Sequence, residues 1–70
     1  MAEVCSEVSG NVWKIECEVG QQVAEGDVLA IIESMKMEIP VEATSAGTVA
    51  EIRVEQGASV SEGTVVVVLA

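Results

Sequence analysis

Histidine, tyrosine and phenylalanine are absent, and the seventy-residue chain has one tryptophan, one proline and only three basic residues. Without histidine there can be no histidine-based nucleophile triad and no zinc site with imidazole ligands. Three basic residues against twelve acidic ones give a net charge of −9 at pH 7. Nucleic acid, anionic membrane surfaces and acidic partners would therefore repel it. The longest apolar run, Val65 to Ala70, falls far short of the roughly 20 residues that span a bilayer. Met1 to Glu7 has neither a basic region nor an apolar stretch, which reads as no secretory signal. Cysteine is limited to Cys5 and Cys17, with no CxxC pair and no metal-ligand spacing. Both read as free thiols acting as small hydrophobes in a reducing, cytoplasmic setting.

Half of the residues are hydrophobic and the mean hydropathy is +0.48, too apolar for a disordered tail. One domain spanning residues 1–70 is expected. A chain this short buries only about 60% of its unfolded surface, so no deep cleft is expected. Fourteen valines and five isoleucines stand against two leucines, a β-branched bias that favours pleated sheet over helix.

An internal repeat organises the chain. At an offset of 37, Ser9 to Glu33 aligns without gaps on Ala46 to Ala70. Gly10, Gly20 and Gly26 fall on Gly47, Gly57 and Gly63, while Val12, Ile15, Val23 and Val28 fall on Val49, Ile52, Val60 and Val65. Two copies are too few for a solenoid, so the repeat implies two half-domains sharing one core about a pseudo-twofold axis. Ile31 and Val68 are expected to join those pairs in the core.

Trp13, Ile15, Cys17 and Val19 alternate with Lys14, Glu16 and Glu18, the period-two pattern of a half-buried strand. Ile52 and Val54 repeat it in the second copy, which makes Cys17 the buried twin of Val54. Glu25-Gly26-Asp27 and Glu62-Gly63-Thr64 read as turns. Val4 to Val8, Val28 to Glu33, Glu38 to Glu42 and Val65 to Leu69 read as further strands, with short pairings near Val23 and Val60. Pro40 places its strand at an edge or a bend. Val65 to Leu69 is apolar enough to need cover on both faces or protection as an edge. Eight short strands without a helix make a flattened barrel or two packed sheets.

The segment between the repeats breaks the pattern. Glu33-Ser34-Met35-Lys36-Met37-Glu38 leaves room only for a tight hairpin, yet its tip has no glycine and two large apolar side chains. Methionine serves well as adaptable contact surface for a partner. The plainer alternative folds both methionines back on the core and leaves the lysine merely solvated. Lys36 offers a primary amine on a mobile stem, with no neighbouring base to activate it. Any chemistry there must be driven by another protein's active site.

Met35-Lys36-Met37, on a hairpin midway between two pseudo-symmetric halves, resembles the attachment site of the biotin/lipoyl attachment family, biotin carboxyl carrier type. The resemblance covers nearly the whole chain. It includes Gly10, the Glu25-Gly26-Asp27-Val28-Leu29 turn and Ser45-Ala46-Gly47-Thr48-Val49. It implies a flattened all-β sandwich of two four-stranded antiparallel sheets, with the modified lysine at one end and both termini at the other. It further implies a monomeric carrier without catalytic or metal-binding residues of its own. A biotin protein ligase would join biotin to Lys36, reading Met35, Met37, Glu33, Ser34 and Glu38. Biotin carboxylase and carboxyltransferase would then share the swinging arm. The protruding thumb of some carriers is absent, since Val19-Gly20-Gln21-Gln22-Val23 leaves it no room.

Two alternatives stay open. Glu33-Ser34 resembles the residues before the lysine in lipoyl domains, which implies a lipoyl carrier or a dual acceptor. An unmodified β-sandwich used only for protein contacts would show no modification by mass.

Overall fold

A computed structural model describes residues 2–70 and shows eight strands and, within that range, no helix. In chain order they are β1 (Ala2–Cys5), β2 (Gly10–Ile15), β3 (Gln22–Val23), β4 (Val28–Ser34), β5 (Met37–Glu42), β6 (Gly47–Ile52), β7 (Ser59–Val60) and β8 (Val65–Leu69). Two four-stranded sheets have the orders β1-β8-β6-β3 and β5-β4-β2-β7, and every pairing is antiparallel. The all-β fold expected from the β-branched composition is present. No helix among the described residues is long and apolar enough to cross a membrane.

Shifting each strand by the 37-residue offset turns one sheet into the other: β1 onto β5, β2 onto β6, β3 onto β7 and β4 onto β8. The repeat thus extends to Ala2–Cys5 and Ile39–Glu42, whose only shared residue is valine, at Val4 and Val41. Reciprocal hydrogen bonds tie the halves together. The Gly20 amide donates to the Val49 carbonyl at 2.7 Å, and its twin Gly57 donates to Val12 at 2.7 Å. The Gly26 amide reaches Ala43 at 2.9 Å, and the Gly63 amide reaches Ser6 at 2.8 Å. Each half completes the other's backbone bonding, so neither is a folding unit by itself.

Close packing explains one glycine pair. A Cβ on Gly10 would be driven into the Glu33 carbonyl of the neighbouring strand, and one on Gly47 would lie 2.7 Å from the Ala70 carbonyl. Only glycine lets the chain approach so closely there.

The core is built from twin positions: Val12 and Val49, Val23 and Val60, Leu29 and Val66, Ala30 and Val67, and Ile32 and Leu69 are all buried. Ile15 and Ile52 pack against it half-buried. Ser6 is buried in the place of Ala43, and its hydroxyl donates to the Val8 carbonyl at 2.6 Å. β8 lies inside its sheet with Val66 to Leu69 all buried, the first of the two options its apolarity allowed. β5 is an edge strand, the first of the two places Pro40 allowed.

Several strand expectations are corrected. The first strand stops at Cys5 rather than running to Val8. β2 ends at Ile15, and Trp13 and Val19 are 50% and 64% exposed rather than buried. Val19 lies in the turn with Gly20, beyond the end of β2, and at Trp13 the cause is a bulge. Val12 pairs with Ile32 and Lys14 with Ile31, so Trp13 is an extra residue facing solvent beside Lys14. Its twin Ala50 is the extra residue of β6, between Val49 and Glu51. A second twin pair of bulges, at Leu29 and Val66, lies in β4 and β8. Val28 is therefore 40% exposed, not core, and Ile31 is only half-buried while its twin Val68 is buried.

Cys17 is buried and Cys5 half-buried, both as free thiols. Burial raises the Cys17 pKa above its ordinary 9.0 by penalising the thiolate. Two results are expected. Iodoacetamide at pH 8 should alkylate Cys5 first and Cys17 only as the domain opens, which peptide mass mapping of a time course resolves. The stability that Cys17 contributes as a neutral thiol is complete below its unfolded pKa and is lost as pH rises through the raised folded value. Urea melts should therefore show wild type losing stability in the alkaline direction relative to Cys17→Val, which has no thiol to ionise.

Candidate functional site

β4 and β5 meet in a two-residue hairpin. Ser34 pairs with Met37 and Glu33 with Glu38, so Met35 and Lys36 form the turn. The right-handed twist of the strands demands positive φ at both positions of such a turn, which is why Asn-Gly is usual there. Here Met35 has φ 52° and Lys36 φ 65°, the only positive φ values among the described non-glycine residues. Each such residue costs about 1–2 kcal/mol in left-handed backbone. Strain of this kind persists where the surrounding structure enforces it, and it concentrates at functional sites. The enforcing structure is the six-residue β4–β5 ladder together with the Ser34 hydroxyl, which donates to the Ser9 carbonyl at 2.8 Å.

All six residues singled out in the sequence share this hairpin. Met35 is 92% and Met37 62% exposed, so neither folds back on the core. Lys36 is exposed as well. The ion pairs among the described residues are Lys14–Glu16 at 3.4 Å and Arg53–Glu51 at 3.0 Å, which leaves the Lys36 ammonium outside any ion pair. Glu33 and Glu38 oppose each other directly across the ladder, an arrangement that like charges disfavour. No group of three or more acidic or cysteine side chains among the described residues is placed to hold a metal.

The opposite end differs by necessity. Ala2 pairs with Leu69, so the chain ends lie side by side in the place the pseudo-twofold relates to the hairpin. One end of the sandwich carries the tip and the other the termini.

One neighbouring feature escaped the sequence reading. Asn11, Val12, Trp13, Glu33, Gln56 and Gly57 line an open hollow of about 500 Å³ on the outer face of the β5-β4-β2-β7 sheet. Alternation placed Trp13 inside. The mismatch between Trp13 and its twin Ala50 was the signal that could have placed it outside.

Residues 1–69 match the biotin/lipoyl family, described as biotin-requiring enzyme. The chain is 42% identical over 66 residues to a biotin/lipoyl attachment protein of Bacillus subtilis, covering 94% of this chain and 90% of that protein. It is 41% identical over 70 residues to the biotinylated protein TB7.3 homolog of Mycobacterium leprae, covering 99% of each. Among solved structures, the Kluyveromyces lactis urea carboxylase superposes with a TM-score of 0.94 at 39% identity. That match covers 99% of this chain and 6% of the carboxylase. By sequence, fold and hairpin together, the chain belongs to the biotin/lipoyl attachment family.

Proposed function

We propose that the Lys36 amine is the acceptor for covalently attached biotin and that the chain, a single domain over residues 1–70, is a carrier in a biotin-dependent carboxylase. The observation that carries this reading is the tip itself. It presents a solvated primary amine, held out of ion pairs, between two outward methionines on strained left-handed backbone. Relatives named for biotinylation or for a carboxylase support it.

Nothing at the tip can deprotonate the lysine, so a biotin protein ligase must supply both the base and the activated carboxyl carbon. The Lys36 ammonium would give one proton to that base, its nitrogen would attack the activated carboxyl carbon, and the amide would form as the activating group leaves and the second proton is released. Biotin, when bound, supplies a ureido ring that can take up and release a carboxyl group. The β4–β5 ladder holds the arm clear of the body, and the lysine stem gives it radius. Tethering raises the local concentration of the arm at biotin carboxylase and carboxyltransferase sites to about the millimolar range, so each encounter can be weak. The acidic body favours basic partner surfaces and keeps an isolated monomer soluble. Two free thiols suit a cytoplasmic setting.

The lipoyl alternative rests on Glu33 and Ser34 preceding the tip. Parallel reactions with a biotin ligase and with a lipoyl ligase, read by intact mass, separate the two. Biotin on the wild-type chain is expected, with a smaller lipoylated fraction. A product carrying lipoyl alone would overturn the reading.

The methionines supply a further test. Met35→Asp with Met37→Ala should leave stability within about 0.5 kcal/mol, as at ordinary surface sites. Aspartate also tolerates left-handed backbone better than methionine. The pair should lower biotinylation and raise lipoylation by recreating the lipoyl-type run behind Glu33-Ser34. Undiminished biotinylation of the double variant would remove the methionines from recognition.

A further inference from the structure

The internal repeat provides a control within the molecule. Where the fold alone sets a residue, twins agree, as at Val12 and Val49 or Val23 and Val60. At the β2 and β6 bulges they do not: one half exposes the chain's only aromatic residue, Trp13, and the other exposes alanine at position 50. An exposed tryptophan gains nothing from the core, and the bulge itself is made equally well by Ala50. The difference falls on the sheet that carries the hairpin.

Resting on the reading of Lys36 as a biotin site, we infer that the hollow around Trp13 is a resting place for the ureido ring of the arm on Lys36. Three observations carry this. The first is chemical fit. A ureido ring presents two N–H donors and one carbonyl acceptor on an apolar body. Glu33 offers a carboxylate to the donors and Trp13 an aromatic surface to the body. The Asn11 side-chain oxygen already accepts from the Ser59 hydroxyl at 3.1 Å, and the Gln56 oxygen accepts from the Ile15 amide at 3.2 Å. Each amide nitrogen therefore remains to donate to the ureido carbonyl.

The second is reach. Glu33 lies on β4 next to its last residue, Ser34, and three residues before Lys36 in the turn, at most about 10 Å at the rise of a strand. From the Lys36 Cα to the nearest atom of the ureido ring there are twelve bonds, which extend about 14 Å at roughly 1.2 Å per bond. The third is affinity. A shallow hollow would hold free biotin too weakly to matter, but a tether of this length supplies an effective concentration of about a millimolar or more. Occupancy near one half then needs only a few contacts. Such a rest would shelter the ring between visits without competing seriously with a partner's active site.

Trp13 is its own reporter, since no other residue is aromatic. The full chain is modified by a biotin ligase, and peptide mapping verifies modification at Lys36. Acrylamide quenching of Trp13 emission is then compared with that of the unmodified chain. At half occupancy the quenching constant should fall about two-fold, and further at higher occupancy, with a shift of the indole N–H resonance. Asn11→Asp keeps the oxygen that Ser59 uses but sets a carboxylate against the ureido carbonyl. Gln56→Glu does the same while keeping the oxygen bonded to Ile15. Either modified variant should quench like its own unmodified form. A chain without biotin on Lys36 would overturn the attachment reading and the hollow with it. A modified chain with unchanged Trp13 quenching and resonance overturns the hollow alone, as does shielding that persists in both variants.

Discussion

Lys36→Arg protein should leave a biotin ligase reaction unlabelled, at the level of a reaction run without ligase, while Lys14→Arg labels like wild type. Arginine keeps the positive charge and the exposed position, so the fold and melting temperature should not move. Its guanidinium stays protonated in proteins and has no lone pair to offer an acyl carbon. Lys14, the other candidate amine, sits in β2 between β4 and β7 and is paired with Glu16 at 3.4 Å. A ligase cannot draw that residue out without breaking the β2–β4 ladder, where it pairs with Ile31, whereas the Met35-Lys36 turn is already presented. Intact mass followed by peptide mapping decides between them. Labelling that survives in Lys36→Arg and vanishes in Lys14→Arg would move the attachment site.

Ile32→Ala and its twin Leu69→Ala should each cost about 2–5 kcal/mol, because both side chains are fully enclosed and the cavities left behind cannot collapse. At 0.05–0.15 kcal/mol per residue, a chain of this length has about 3.5–10 kcal/mol of stability in total, so either change can unfold it. The two costs should agree within about 1 kcal/mol, since the pseudo-twofold gives both sites equivalent surroundings. Val28→Ala should cost less than about 1 kcal/mol, because the bulge turns that residue toward solvent. Urea melts followed by far-ultraviolet circular dichroism measure all three. A large loss at Val28 with a small one at Ile32 would put the register of β4 one residue out. The consequence would reach the site, for Glu33 and Ser34 follow Ile32 on the same strand.

The two-fold repeat, the turns at Gly26 and Gly63, the restriction of Pro40 to an edge or a bend, and the hairpin tip were all determined by the sequence alone. Each has a local cause that survives in one dimension: punctuation by glycine, a missing donor, or a short link with the wrong residues for an ordinary turn. What only tertiary structure decided is non-local. A bulge adds one residue to a strand without marking it, so alternation placed Trp13 and Val28 inward and they face out. The kinship of β1 with β5 left a single shared valine, yet Ala2–Cys5 and Met37–Glu42 take equivalent edge positions because β8 and β4 each present the same free ladder. The exposure of Met35 and Met37 could not be read from composition either. It follows from the positive φ that strand twist imposes at a two-residue turn, which directs the tip away from the core. Pairing across the pseudo-twofold, in which Gly20 donates to Val49 and Gly57 to Val12, is the deepest such choice. Period-two patterning says which face of a strand is buried but not which strand lies beside it, and here the partners come from opposite halves of the chain.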